Sequence, residues 1–218
     1  MSVDVAVHEH HGFEPFAMAD PFPIYAELRR EEPVMFDERI GYYVVTRYDD
    51  IKATFANWEQ FSSENAQAPV RPAGEPAKRI MTEGGFTAYS GLSARVPPEH
   101  TRIRDVATKA FTPRRYKVLE PLIRENVDRL IDRMLAEGAP ADIVASLAWD
   151  VPTITILTLL GVPIDMIPQV KEWAGSRAAM TWGDLSDEDQ IPHAINLVEY
   201  WNYCQQLVSE SKANPGDD

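Results

Sequence analysis

The stretch that most narrows what this chain can fold into is Pro97-Pro98-Glu99-His100-Thr101-Arg102-Ile103-Arg104, which runs on to Ala110, Phe111, Thr112 and Pro113. Proline tolerates the first turn of a helix, where no intrahelical N–H bond is lost, and Glu99 suits the positive end of the helix dipole. A helix should therefore begin near Pro98. At about 100° per residue, Ile103, Val106, Ala107, Ala110 and Phe111 fall on one apolar arc, and Thr101, Arg102, Asp105, Thr108 and Lys109 on a polar one. His100 and Arg104 belong to neither arc. They stand one turn apart on the flank of the apolar side, in line with Phe111, and aim two donor groups at a partly buried space. An anion is the expected occupant.

The run Pro-Pro-Glu-His-Thr-Arg-Ile-Arg, followed by Lys109-Ala110-Phe111-Thr112-Pro113-Arg114-Arg115, resembles helix C of the bacterial cytochrome P450 family. In that family the His and the second Arg of this motif hydrogen-bond the haem propionates, which maps onto His100 and Arg104 and supplies the anion. The resemblance implies a mainly α fold with a small β-hairpin or sheet, of which this chain carries the N-terminal half. It also implies a haem cofactor, with Leu92, Ser93 and Phe111 as further residues near it. Val96 departs from the family pattern, where an acid often precedes the proline pair.

The rest of the chain follows the same order. Residues 1–19 have no period and read as a flexible arm in which His8, His10 and His11 cluster; residues 20–218 read as the N-terminal part of a single haem domain. Asp20 as N-cap and Pro21 at the first position open a helix with Ile24, Tyr25 and Leu28 on one face, stopped by Pro33. Val34 to Phe36 and Tyr42 to Thr46 flank Asp37-Glu38-Arg39-Ile40-Gly41 as a hairpin. Asp49 and Asp50 open another helix through Trp58. Asn65 to Ala77, with prolines at 69, 72 and 76, reads as a loop, and Met81 to Val96 as a long irregular segment.

Thr112 and Pro113 start the clearest helix, with Tyr116, Leu119, Ile123, Val127, Leu130 and Met134 on one stripe and Gly138 at its end. Ile154 to Leu160 is apolar on most sides, which predicts deep burial. Ile164 to Met180 reads as a helix, Thr181 to Ser186 as a loop, and Asp187 opens a long helix striped by Ala194, Leu197, Trp201, Cys204 and Leu207. By resemblance, Met81 to Val96 is the family's B–C loop over the substrate pocket and the last two helices are its F–G lid. Phe86, Ala88 and Leu92, with Ala178 and Thr181 from the lid, are then the candidate substrate contacts.

Charge excludes some partners. The 218 residues carry a formal net charge of −13, and phosphate backbones and anionic membranes select basic surfaces, so neither nucleic acid nor a membrane is an expected partner. No stretch of about 20 apolar residues is present to span a bilayer. Met1 to His11 is polar and acidic, unlike a secretory leader, and a single cysteine fits a reducing compartment, so the chain reads as cytosolic.

Haem-thiolate chemistry needs a cysteine in a glycine-rich loop, and Cys204 instead sits mid-helix on an apolar stripe, where a small hydrophobe is expected. The family's acid–threonine pair is not found either. The chain is therefore expected to be a segment of a longer polypeptide, cut before the oxygen-activating helix and the Cys loop. The resemblance then implies a monooxygenase that inserts one atom of O2 into a small organic substrate, with electrons from a ferredoxin-type or fused reductase. The competing reading is a non-enzymatic acidic helical binding protein, or a fragment without activity.

Overall fold

The structure, a computed structural model, describes residues 13–14, 16, 19–88 and 91–214, without the side chain of Arg115. The histidines at 8, 10 and 11 lie outside these residues. Among the described residues, eight α-helices and a two-stranded sheet follow one another as α1 (Phe22–Glu31), β1 (Val34–Asp37), β2 (Tyr42–Val45), α2 (Tyr48–Ala56), α3 (Glu75–Glu83), α4 (Glu99–Ala110), α5 (Pro113–Glu137), α6 (Asp150–Leu159), α7 (Ile167–Trp182) and α8 (Gln190–Ala213).

The N-terminal unit is built around α1. The Asp20 carboxylate accepts the Phe22 N–H at 3.2 Å, satisfying one of the donors a helix start leaves open. Leu28 is fully buried against Phe13 and Met35, with Ile24, Tyr25 and Val44 at the rim. Phe13 and Glu14 fall within the stretch read as a loose arm, yet Phe13 is buried and Glu14 pairs with Arg39 at 2.9 Å. The hairpin is antiparallel, pairing Val34 with Val45 and Asp37 with Tyr42. Gly41, at φ +68°, turns the chain between them in the region where a side chain is disfavoured.

The larger core lies between α7 and α8. Val162, Ile167, Val170 and Trp173 form its buried centre, and Tyr200, Tyr203 and Leu207 of α8 close over it with Ile154 and Leu157 of α6. Trp173 stacks on Tyr200 and meets Tyr203 at a tilt, at 6.0 and 5.5 Å between ring centres. Ala194 and Leu197 are buried on the predicted α8 stripe. A short 3-10 turn, Ile164–Met166, precedes α7, which then runs two residues past Met180. Helix α8 begins at Gln190, after Ser186 Oγ has accepted the Asp189 N–H at 3.1 Å.

Two expectations are corrected. Residues 75–83, split between a predicted loop and a predicted irregular segment, form α3. Pro76 occupies its first turn, where the missing N–H costs nothing, and its short apolar face, with Ala77 fully buried, is held by contact with α8. That face is too brief to show a period; α8 selects the helix. The second correction is α6: none of its residues is fully buried, and Ile156 and Leu160 beyond it are 40% and 54% exposed. The helix packs on α5 and α7, which cover only part of an apolar circumference.

Candidate functional site

Helix α4 starts one residue after the predicted Pro98, and Arg95 pairs with Glu99 at its first turn. Its inner side is lightly covered by this chain: Ile103, Ala107 and Ala110 are half-buried, and Val106, expected on the same arc, is 64% exposed. His100 is half-buried and lines a groove of about 520 Å³ with Phe55, Trp58, Phe61, Leu92 and Ser93. Arg104 is exposed one turn further on, and its side chain makes no hydrogen bond or ion pair among the described residues. Phe111 caps the end of α4, its N–H donating to Ala107 O at 3.1 Å, and does not line the groove. The fold thus brings His100, Leu92 and Ser93 to one groove and sets Arg104 and Phe111 along the helix that borders it.

The predicted substrate residues form a second cluster. Phe86, Ala88 and Thr181 line a cavity of about 170 Å³ with Gln67, Met81, Met180, Arg177 and Leu197. An adjoining cavity of about 280 Å³ shares Phe86, Arg177 and Leu197 and adds Tyr200, Trp201 and Cys204. Phe86 meets Trp201 edge-on, with ring centres 5.9 Å apart. Ala178 is not part of this cluster; it lines a separate cavity beside Trp149, Ile156 and Tyr200. Burial pushes the Cys204 thiol up from its ordinary value, with a hydrogen bond from Tyr200 opposing the shift, so the sulfur stays protonated near neutral pH.

Gln67 and Arg177, which sequence reasoning passed over, join the two clusters. Arg177 Nη2 donates to Gln67 Oε1 at 2.8 Å, and Gln67 Nε2 donates to Ser93 Oγ at 2.7 Å. A signal for Arg177 was present: it stands at i+4 from Trp173 and i−4 from Thr181, a charge on the inward side of a helix. Gln67 had none, since its partners lie 26 and 110 residues away. The connection between α7 and α8 is tied down nearby. Val70 N–H donates to Thr181 O at 2.9 Å, Arg71 pairs with Asp184 at 2.6 Å, and Gly74 N–H donates to Gln190 Oε1 at 2.8 Å.

No family model matches the chain. Among curated proteins it is similar to nocardicin C N-oxygenase of Nocardia uniformis subsp. tsuyamanensis, with 32% identity over 94% of this chain and 49% of that protein. It is also similar to the cytochrome P450 monooxygenase PikC of Streptomyces venezuelae, with 33% identity over 92% and 45%. Among solved structures, cytochrome P450 CREJ in complex with (4-ethylphenyl) dihydrogen phosphate superposes with a TM-score of 0.90 and 65% identity, over 96% of this chain and 52% of that one. The chain corresponds to the N-terminal half of a bacterial cytochrome P450. It spans about half the length of the curated relatives it matches. Within the P450 fold, α4 stands where the sequence motif placed helix C, and α7 and α8 follow as a helix pair joined by residues 183–189. No helix among the described residues is long and apolar enough to cross a membrane.

Proposed function

We propose that the longer polypeptide is a haem-thiolate monooxygenase and that this half supplies the propionate donors and the substrate lid. The observation that carries the reading is His100 lining an apolar groove walled by Phe55, Trp58 and Phe61, with Arg104 one helical turn further along α4. An imidazole at an aromatic wall, with a guanidinium one turn further along the same helix, suits a flat apolar ring with carboxylates at its edge. Haem, when bound, supplies the activation of dioxygen from an iron held by a cysteine outside these residues. His100 and Arg104 then fix the ring's polar edge, Leu92 and Ser93 border it, and Phe111 closes the end of the helix. The lid elements exclude water and hold the substrate, while electrons come from a ferredoxin-type or fused reductase.

Support for a substrate class comes from the solved relative, 65% identical, that is in complex with (4-ethylphenyl) dihydrogen phosphate. An aryl phosphate monoester is the proposed substrate, received between Phe86, Ala88 and Thr181.

Arg104 and Arg102 provide the test, since the helical period sets them about 160° apart on α4. A charge-assisted hydrogen bond is worth about 1.5–3 kcal/mol. In the full-length polypeptide, Arg104→Ala should lower the haem content per protein after purification, and His100→Ala should act in the same direction. Arg102→Ala should leave it unchanged. Equal losses from the two arginines, or none from Arg104, would remove the propionate assignment.

A further inference from the structure

The proposed substrate poses an electrostatic problem for this chain. A phosphate monoester carries a charge of about −1.5 to −2 at neutral pH, whereas these 218 residues carry −13, so their own net field repels the ligand and recognition by this half must be local. Burying such a group without a fixed cation costs far more than an apolar ring can return.

Among the described residues lining the two adjoining cavities, Arg177 is the one with a charge. It is half-buried on α7 and belongs to both cavities, at their shared wall with Phe86 and Leu197. The guanidinium is also oriented. Gln67 donates to Ser93, which sets the amide so that its oxygen faces Arg177, and the Gly91 N–H donates to the same oxygen at 3.4 Å. Two segments, one at Gln67 and one at Gly91–Ser93, thereby orient a planar group whose fork matches phosphate oxygens. In the second cavity, Phe86, Trp201 and Tyr200 supply aromatic lining around about 280 Å³. An apolar cavity of about 150 Å³ takes a benzene ring, so this one has room for a substituted phenyl.

We infer that Arg177 receives the phosphate of an aryl phosphate monoester whose ring lies against Phe86, Tyr200 and Trp201, with Gln67 as the positioning residue for the guanidinium. The inference rests on the substrate class proposed above. Arg177 discriminates the ester from the corresponding neutral phenol, because the phenol offers the cation no charge.

Calorimetric titration of the full-length, haem-loaded protein tests this, with (4-ethylphenyl) dihydrogen phosphate and 4-ethylphenol as ligands. The wild type should prefer the ester. Arg177→Gln should weaken the ester by about 10- to 100-fold, the range expected for a lost charge-assisted contact, and leave the phenol unchanged; Arg177→Lys should recover part of the loss. If Arg177→Gln binds the ester as the wild type does, the assignment of Arg177 is overturned while the substrate class stands. Equal loss of ester and phenol would make Arg177 a packing residue and overturn it too. A wild type that binds no ester removes the substrate class and the assignment with it.

Discussion

Asp37 is a fully buried carboxylate at the end of β1, and its partners explain how it stays charged there. Burial pushes its pKa up, but the Arg39 side chain at 2.6 Å, the Arg39 N–H at 2.9 Å and the Ile40 N–H outweigh it, and the group ends below the ordinary carboxylate range. Arg39 also reaches Glu14 and the carbonyl of Phe13, so this ion pair fastens the start of the described chain to the hairpin. A lowered pKa stabilises the fold fully above the unfolded value of about 4 and loses that contribution as pH falls through the native value. Asp37→Asn in the full-length protein should cost about 1–3 kcal/mol at neutral pH, with the partly exposed Arg39 end screening the pair toward the lower figure. Its stability should also fall less steeply than the wild type's below pH 4, as acid titration of thermal unfolding would show. Parallel acid profiles would refute the role. The sequence disclosed the turn around Asp37, because Asp-Glu-Arg-Ile-Gly is local chemistry. It did not disclose the ion pair with Glu14, which depends on tertiary placement.

The same division holds for the elements. Helices α4, α5 and α8 were legible because each shows a helical period over many residues, and Gly138, at φ +88°, ends α5 where the sequence put the stop. Helix α3 was not, since its identity comes from α8. Their contact is close: a Cβ added at Gly84 would lie 2.4 Å from Val198 Cγ1, on a branched side chain with little freedom to turn away. Gly84→Ala should therefore destabilise the protein by about 1–3 kcal/mol, measured by denaturant unfolding, and a neutral result would mean that α3 and α8 are looser than described. The backbone bond from Val70 to Thr181, the Arg71–Asp184 pair and the Gly74–Gln190 bond join the segment before α3 to the connection between α7 and α8. Hydrogen exchange at Met81–Phe86 and at Met180–Asp187 should accordingly slow together when substrate binds the full-length protein. Slowing in one segment alone would separate them.

At the scale of the whole molecule, the candidate site was legible to the extent that it lies on one helix. His100 and Arg104 could be paired from their spacing, whereas the cavity of Phe86, Arg177 and Trp201 draws on segments from three parts of the chain. Apolar side chains such as Val118 and Leu135 on α5 and Ile156 on α6 face outward on these 218 residues, so expressed alone the piece should melt broadly and without sharp cooperativity. A steep two-state transition would show that it is self-sufficient. The central proposal is that a thiolate from beyond these residues holds a haem that α4 helps to clamp. The absorption spectrum of the reduced, carbon-monoxide-bound full-length protein tests it most directly, recorded for the wild type and Cys204→Ser side by side. Both should show the same thiolate-ligated haem band, because Cys204 is a protonated thiol on the inner side of α8. A wild type without that band, or a band lost with Cys204, would contradict the proposal.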